Sequence, residues 1–256
     1  MLKLKLSFAA VALLLVAAAR GEWAVTSSQT EPAAAAGVEH RRAIVTESAS
    51  GTEATVDLAL FSNKTATLRV IDDPTGQGSL ASLMQREGCI AGVNGGYFDP
   101  NDAPVGLLIS EGRKVAPLTR ARLLSGVVSV ANGRVQIQRS ADFSMKTKPS
   151  AARQCGPFLL ERGRPIAGLN GTRSARRTFV LSGLGDKVAI GFCSYVTLAQ
   201  LGEILATPGV AGEVKIQRAL NLDGGSSSGF WFAGKASVVS IREQKRVRDY
   251  LAVVPR

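Results

Sequence analysis

The alternation of apolar and polar residues predicts a chain built mainly from β-strands. Residues 54–61 and 66–71 carry apolar side chains at alternate positions, which is typical of strands with one buried face. The strongest hairpin signal lies in 127–138, because Asn132-Gly133 between two strand-like runs accepts the positive φ angles of a type I′ turn. Two similar units follow between residues 158 and 192. The pattern therefore favours antiparallel pairing.

Only two segments predict helices. Residues 79–87 are followed by Gly88, a residue type that commonly ends a helix. Residues 197–206 begin with Thr197 and Gln200 at the spacing of a capping box. We therefore expect an α+β fold, in which a single domain of twisted antiparallel or mixed β-sheets carries two main helices.

The first residues have the pattern of a secretory signal peptide. Lys3 and Lys5 precede an apolar run that ends in small residues at position 19, so residues 1–19 are expected to be removed on export. The run is shorter than the roughly 20 residues that span a bilayer, although an uncleaved anchor helix remains an alternative. We expect a periplasmic or secreted protein with no stable membrane insertion.

Residues 20–42 are rich in Ala, Ser, Thr, Glu and Gly and show no sustained period. This composition predicts a flexible linker before a domain that spans residues 43–256. The single histidine of the chain, His40, falls in this linker beside two arginines, where a solvated surface position is expected.

Charge and histidine content narrow the possible functions. The chain has 31 Lys plus Arg against 20 Asp plus Glu, a net charge of +11, which favours acidic partners. With one histidine, Ser-His-Asp triads and two-histidine zinc sites are disfavoured. Nucleic acid is not expected as a partner, because the aromatic residues are few and are not interleaved with basic ones.

The three cysteines, Cys89, Cys155 and Cys193, are an odd number for an exported chain. One disulfide and one buried thiol is the simplest arrangement. Cys89 lies in an apolar stretch that resembles a buried strand, so Cys155 and Cys193 are the favoured pair. No CxxC spacing is present, and neither a metal nor a redox role is expected.

Two similar motifs carry the candidate chemistry. Each follows a predicted helix and an apolar strand, and each places Asn or Asp before two glycines: Asn94-Gly95-Gly96 and Asp223-Gly224-Gly225. Taken singly, each is explained by a turn or a flexible loop. Together they indicate a device that presents a polar side chain at a strand end, with glycines that let a ligand approach backbone N–H groups.

The order of several motifs resembles that of phosphodiester glycosidase domain proteins. These motifs are Asn94-Gly-Gly-Tyr-Phe-Asp99, Gly106-Leu-Leu-Ile-Ser110 with Glu111-Gly112, Gly156-Pro157 with Leu159-Leu160-Glu161-Arg162-Gly163, Arg177-Thr178 and Asn221-Leu-Asp-Gly-Gly-Ser226. The resemblance covers roughly residues 50–254. It implies an exported hydrolase that cleaves the bond between a sugar anomeric carbon and a phosphodiester, within a small molecule or a glycopolymer.

The residues suit that reaction. A carboxylate, here Asp223, stabilises or attacks the positive charge that develops on the sugar. Arg177, with Arg173 and Arg176 nearby, offers paired N–H donors to phosphate oxygens. A phosphate is already a good leaving group, so histidine is not needed. We assign catalysis to Asp223, Asn94 and Arg177. We assign substrate binding to Gly95, Gly96, Tyr97, Asp99, Gly224, Gly225, Ser226 and Ser227.

Two alternatives remain open. Asp99 has the sequence context of an ordinary Asx turn whose oxygens could bind calcium, although no cofactor or metal site is assigned. The whole chain could also be a non-catalytic module that binds anionic polysaccharide through its arginines and glycine loops. Only the hydrolase requires Asp223 as well as Arg177, so the two functions differ in a testable way.

Overall fold

The computed structural model describes residues 21–35 and 37–256, and the predicted signal segment lies outside them. The strands are β1 (Trp23–Pro32), β2 (Val38–Glu47), β3 (Glu53–Ser62), β4 (Ala66–Asp72), β5 (Ala91–Asn94), β6 (Leu108–Ser110), β7 (Arg113–Ala116), β8 (Gly126–Ala131), β9 (Arg134–Arg139), β10 (Ala151–Cys155), β11 (Phe158–Glu161), β12 (Arg164–Pro165), β13 (Ala175–Gly183), β14 (Lys187–Val196), β15 (Ile216–Asn221), β16 (Phe230–Ala233), β17 (Val238–Ile241) and β18 (Asp249–Pro255). The pairs between them are antiparallel, as expected.

The two predicted helices are both present. They are α1 (Leu80–Arg86) and α2 (Leu198–Ala206). Thr197 and Gln200 form the predicted capping box, in which the Thr197 side chain accepts from the Gln200 N–H and the Gln200 side chain accepts from the Thr197 N–H. Short 3-10 turns cover Met145–Thr147 and Gly225–Ser227. None of the helices in the described part of the chain is long and apolar enough to cross a membrane.

The strands form one eight-stranded and two five-stranded sheets. The large sheet has the order β1-β2-β3-β14-β13-β15-β11-β12, and the smaller ones have the orders β7-β6-β10-β8-β9 and β17-β16-β5-β18-β4. The hairpin predicted at Asn132-Gly133 joins β8 to β9, and these two residues have φ angles of 49° and 69°. The α+β prediction with two helices is therefore confirmed, in a molecule dominated by antiparallel sheets.

A single core joins the three sheets into one domain. Apolar side chains of the large sheet, such as Phe61, share one buried cluster with Val130 and Val253 of the two smaller sheets. A second cluster lies between the large sheet and α2, and a third lies under α1. Because one continuous core binds all three sheets, they position the strand ends that carry the candidate chemistry relative to one another.

The predicted flexible linker is wrong from residue 23 onward. Strand β1 pairs with β2 along its length, and β2 pairs with β3, so this hairpin forms one edge of the large sheet. The folded domain therefore begins before residue 43. The side chains of β1 are mostly exposed, which explains why its sequence shows no apolar alternation.

His40 also differs from the prediction, because it is buried rather than solvated. It lies on β2 with 5% of its surface exposed. Its Nε2 lies 2.8 Å from Asp57 Oδ1 and its Nδ1 lies 3.1 Å from Glu31 Oε1. The ring packs against those of Phe230 and Phe232. His40 thus ties the β1–β2 hairpin to the core.

The expected disulfide between Cys155 and Cys193 is not formed. All three cysteines are free and buried. Cys155 lies on β10 and Cys193 on β14, which belong to different sheets. Burial raises the pKa of the Cys89 thiol to about 11 and that of Cys155 and Cys193 to about 12. The cysteines are therefore packing residues of the core.

Candidate active site

The two glycine motifs lie side by side at adjoining strand ends. Strand β5 ends at Asn94, whose Nδ2 donates to the carbonyl of Asp223 at 2.8 Å across 129 positions of sequence. The Asp223 N–H in turn donates to the carbonyl of Gly95 at 3.1 Å. Thr178 Oγ1 lies 2.8 Å from both Asn94 Oδ1 and the Asp223 carbonyl. Asn94 and Thr178 thus fix the backbone that carries Asp223.

A cavity of about 320 Å³ opens beside this junction. We call it the Asp223 cavity. Its walls are formed by Tyr97, Leu123, Asn170, Arg173, Ala175, Arg177, Leu198, Asn221, Asp223, Gly224 and Gly225. It combines one carboxylate, two arginines, an aromatic ring and apolar side chains, a set that matches a ligand with a sugar ring and an anionic group.

Asp223 lies two residues beyond the end of β15 and is held by its own loop. Its Oδ1 accepts the Gly224 N–H at 2.9 Å, and the next three residues form the 3-10 turn Gly225–Ser227. Burial raises the pKa of Asp223 above its ordinary 3.8. The Ser227 hydroxyl, the positive charge of Lys245 and the Gly224 N–H act on that pKa in the opposite direction. The carboxylate is therefore partly desolvated and is supported by donors on one side.

Arg177 is a buried arginine with a fixed orientation. It lies on β13, where the register with β14 shifts between Ala175 and Arg177, and 8% of its surface is exposed. Its Nε donates to the carbonyl of Val196 at 3.0 Å, and its Nη2 donates to that of Arg173 at 2.6 Å. Nη1 has no acceptor among the described residues and lies on the Gly224 side of the cavity. Burial lowers the pKa of Arg177. One free, rigidly held nitrogen is thus available to an anion in the cavity.

Tyr97 and Asn221 lie together in the wall of the cavity. The Tyr97 hydroxyl donates to the carbonyl of Gly156 at 2.5 Å, and Asn221 Nδ2 donates to the same carbonyl at 3.0 Å. Burial raises the pKa of Tyr97, so its hydroxyl stays protonated. Phe98, the next residue, lies under Lys245, whose Nζ is 5.1 Å from the ring centroid. Of the two aromatic residues, Tyr97 is the one that faces the cavity.

Gly95 and Gly96 lie against a buried ion pair and do not line the cavity. Arg153 Nε donates to Asp249 Oδ1 at 2.9 Å, and both side chains have no exposed surface. The Gly96 N–H also donates to Asp249 Oδ1, at 3.2 Å. A Cβ added at Gly95 would lie 1.7 Å from Asp249 Oδ1, and one added at Gly96 would lie 2.5 Å from Arg153 Cζ. These glycines leave space for the ion pair.

The other predicted site residues lie around the cavity without lining it. Asn94 has no exposed surface, and its amide is fully engaged with the Asp223 loop, so it supports the site from below. Asp99 Oδ1 accepts the N–H groups of Asn101 and Ala103, the Asx turn considered from the sequence. Ser226 is exposed at the rim, and Ser227 is buried behind Asp223.

Sequence reasoning did not assign several residues of the wall. Asn170 and Arg173 come from the loop before β13, and Asn170 Oδ1 accepts the Arg173 N–H at 2.9 Å. Leu198 belongs to α2, and Leu123 comes from the loop before β8. Leu123, Asn170 and Leu198 share no motif, whereas Arg173 lies in the basic run that the sequence analysis names beside Arg177. No group of three or more His, Cys, Asp or Glu side chains within the described ranges is placed to hold a metal ion.

Comparison with known proteins agrees with this architecture. The family model of the phosphodiester glycosidases matches residues 87–254, well over half of the chain. The fold is similar to the zebrafish N-acetylglucosamine-1-phosphodiester α-N-acetylglucosaminidase catalytic domain, a structure auto-inhibited by its pro-peptide, with a TM-score of 0.65 and 15% identity over 93% of this chain and 89% of that one. Similar folds occur in a hypothetical protein from Synechocystis (TM-score 0.60, 15% identity, 86% and 62% covered) and a candidate exported protein from Burkholderia pseudomallei (0.58, 13%, 80% and 75%). No curated protein sequence matches the chain.

Proposed function

The chain belongs to the phosphodiester glycosidase family, and from this premise we propose that it hydrolyses the glycosidic bond of a sugar-1-phosphodiester. The observation that carries the proposal is the Asp223 cavity, where a carboxylate and a fixed arginine face the same space. Water adds its hydroxyl to the anomeric carbon, the bond from that carbon to the phosphate oxygen breaks, and the second water proton goes to the medium or to the phosphate monoester.

Asp223 acts on the sugar side of the bond. Positive charge develops on the ring as the bond breaks, and a partly desolvated carboxylate stabilises it more strongly than one in water. This role requires the ionised form of Asp223. The Ser227 hydroxyl, Lys245 and the Gly224 N–H favour that form against the effect of burial.

Arg177 acts on the phosphate side. Its two anchoring bonds to backbone carbonyls keep Nη1 in place, so no side-chain ordering is needed when the phosphate leaves with its charge. Arg173 lies in the same wall and adds a second positive charge. Asn94 and Thr178 are positioning residues that hold the Asp223 loop against β5.

The protein is further proposed to act outside the cytoplasm, in the periplasm or as a secreted enzyme. The signal-like pattern of residues 1–19 supports this location. The similarity of the fold to a candidate exported protein is consistent with it.

The test is hydrolysis of a sugar-1-phosphodiester in ¹⁸O-labelled water by the wild-type protein and by Asp223→Asn. We expect the label in the free sugar, which identifies cleavage at the anomeric carbon, and a decrease in kcat/KM of about a thousandfold in the variant. The asparagine keeps an oxygen that can accept the Gly224 N–H, so the fold is expected to persist. Asp142→Asn, at an exposed aspartate outside the cavity, is the matched control.

Three results would contradict the proposal. Label in the phosphate would identify a phosphodiesterase instead. Full activity of Asp223→Asn would remove the carboxylate from the mechanism. Tight binding of sugar phosphates by a wild-type protein that hydrolyses none of them would favour the polysaccharide-binding module.

A further inference from the structure

A second and larger cavity lies next to the Asp223 cavity. It has a volume of about 730 Å³ and is formed by the loop 76–79, the segment 242–246 and Arg176. We call it the basic cavity, because four of its side chains are positively charged: Arg176, Arg242, Lys245 and Arg246. Its one carboxylate is that of Glu243. Of the residues that form it, only Lys245 bears on the proposed cleavage step, through the effect of its charge on Asp223.

The charges of the basic cavity are only partly neutralised by the protein. Glu243 Oε1 accepts the Leu80 N–H at 2.8 Å, so its carboxylate is engaged with the start of α1. Arg246 pairs with Asp102 at 3.3 Å. Arg242 and Lys245 are exposed, and neither has a carboxylate within 4.0 Å in the described part of the chain. Two positive charges thus remain available at its mouth.

Arg176 gives the basic cavity a preformed wall. Only 8% of its surface is exposed, and its Nη2 donates to the carbonyls of Ser228 and Arg242, the latter at 2.7 Å. Its guanidinium also lies 5.2 Å from the centroid of the Phe192 ring. Its Nε has no acceptor among the described residues. A guanidinium ordered in this way binds an anion at a low cost in side-chain entropy.

Neighbouring residues of the chain line the two cavities. Arg176 and Arg177 are consecutive residues of β13, and each lines one of the cavities. The turn Gly225–Ser227 lies between them, since Gly225 lines the Asp223 cavity and the carbonyl of Ser226 accepts the N–H of Gln244 from the basic cavity at 2.7 Å. The turn Gly225–Ser227 thus separates the two cavities, which lie at the same end of β13.

We propose that the basic cavity binds a second phosphate group on the leaving-group side of the substrate. This inference rests on the proposed function, because it assigns the part of the substrate beyond the scissile bond. The preferred substrate is then a chain with phosphates at intervals, such as a segment of a sugar-phosphate polymer, rather than a diester with a neutral leaving group.

Charge and geometry favour phosphate over other groups. Arginine guanidinium groups bind tetrahedral phosphate oxygens through several N–H donors, and three of the four cations here are arginines. A neutral sugar would leave these charges uncompensated. A carboxylate and a phosphodiester carry the same single charge, but the phosphodiester presents four oxygens in a tetrahedral arrangement that can meet several guanidinium groups at once.

The kinetic test compares three substrates that differ only in the leaving group. One carries a neutral group, one a carboxylate and one a second phosphate. For Arg242→Glu we expect kcat/KM on the second-phosphate substrate to fall about tenfold, because an attraction becomes a repulsion at short range. With the neutral substrate the same variant should stay within about twofold of wild type. Arg164→Glu, at an exposed arginine of β12 outside both cavities, is the charge-matched control.

Two kinetic outcomes would overturn the proposal. The first is an equal effect of Arg242→Glu on all three substrates. The second is an equal effect of Arg242→Glu and Arg164→Glu on the second-phosphate substrate, which would mean that only net charge matters.

A binding measurement separates this proposal from the cleavage reaction. Titration with inorganic tripolyphosphate at about 0.15 M salt should give a Kd about tenfold weaker for Arg242→Glu than for Arg164→Glu, with Arg242→Gln between them. If the protein cleaves none of the three substrates, the proposed function fails and this titration alone decides the second site. Equal Kd values for the two glutamate variants would overturn the second site.

Discussion

The two glycine motifs share a sequence pattern but have different tasks. In Asn94-Gly95-Gly96 both glycines are buried against Asp249 and Arg153. In Asp223-Gly224-Gly225 both glycines line the Asp223 cavity, and a Cβ at Gly225 would meet nothing within 4 Å. The glycines of the first motif therefore make room for a buried ion pair, and those of the second motif leave space for a ligand. The comparison shows that two glycines at a strand end indicate that another group lies close to the backbone. The sequence does not say whether that group is a side chain of the protein or a ligand.

The largest effect is expected at the buried motif. Gly95→Ala should lower the free energy of unfolding by about 3–5 kcal/mol, because the new methyl group would displace Asp249 from an ion pair that has no solvent to replace it. Urea unfolding measures the change. Gly171→Ala, at an exposed glycine whose added Cβ would meet only Ala199 Cβ at 3.8 Å, is the control for replacing a glycine without a clash. If the two variants lose similar stability, the interpretation of Gly95 is incorrect.

Arg177→Lys tests the phosphate side of the open motif. We expect kcat/KM on a sugar-1-phosphodiester to fall about 10- to 100-fold, since lysine keeps the charge but cannot bond two carbonyls and a phosphate in one plane. Steady-state kinetics of this variant and of Arg164→Lys measure the effect. Activity equal to wild type would place the phosphate elsewhere.

Gly225→Ala should have a smaller effect on stability than Gly95→Ala. The position has a φ of 66° and open space around it, so the cost is about 1 kcal/mol for placing a side chain in the left-handed region. Urea unfolding beside Gly95→Ala measures the contrast directly. A loss of 3 kcal/mol or more would show that the open motif is also packed, which would remove the difference between the two motifs.

The smallest effect concerns the pH dependence of Asp223. Its raised pKa means that, as pH falls, the carboxylate takes up a proton and activity is lost at a higher pH than for an ordinary aspartate. Lys245→Gln removes a charge that lowers this pKa, so the acid limb of kcat/KM should move to higher pH by a few tenths of a unit. Lys235→Gln, at an exposed lysine, is the control. A shift to lower pH would contradict the assignment.

The raised pKa of Asp223 also makes the stability of the protein depend on pH. A group whose pKa is raised in the folded state binds its proton more tightly there than in the unfolded chain. Its contribution to stability is therefore greatest below the unfolded pKa and is lost as pH rises through the raised value. Asp223→Asn should accordingly gain stability over wild type at neutral pH, and this gain should disappear under acid conditions.

The parts of the fold that could be predicted are those that depend on residues close together in the sequence. The Asn132-Gly133 turn and the Thr197 capping box depend on neighbouring residues, and both were predicted. Strand β1 was missed because it is an edge strand with mostly exposed side chains. Few of its positions face the core, so its sequence lacks the alternation of apolar and polar residues that identifies a strand. The Cys155–Cys193 pairing was wrong because sequence spacing carries no information on which sheet a residue joins.

The site was partly predictable for the same reason. Asp223, Arg177 and Tyr97 lie in motifs, and all three face one cavity. Leu123 and Leu198 enter the wall from a loop and a helix that are distant in sequence, which only the folded chain brings together. The burial of Gly95 depends on Arg153 and Asp249, neither of which belongs to a glycine motif.

The buried cysteines allow the opening of the folded protein to be measured by thiol labelling. With a pKa near 12 and no exposed surface, Cys155 and Cys193 offer almost no thiolate to an alkylating reagent in the folded state. A maleimide can therefore label them only in molecules that have opened, so the labelling rate measures the opening equilibrium without any substrate.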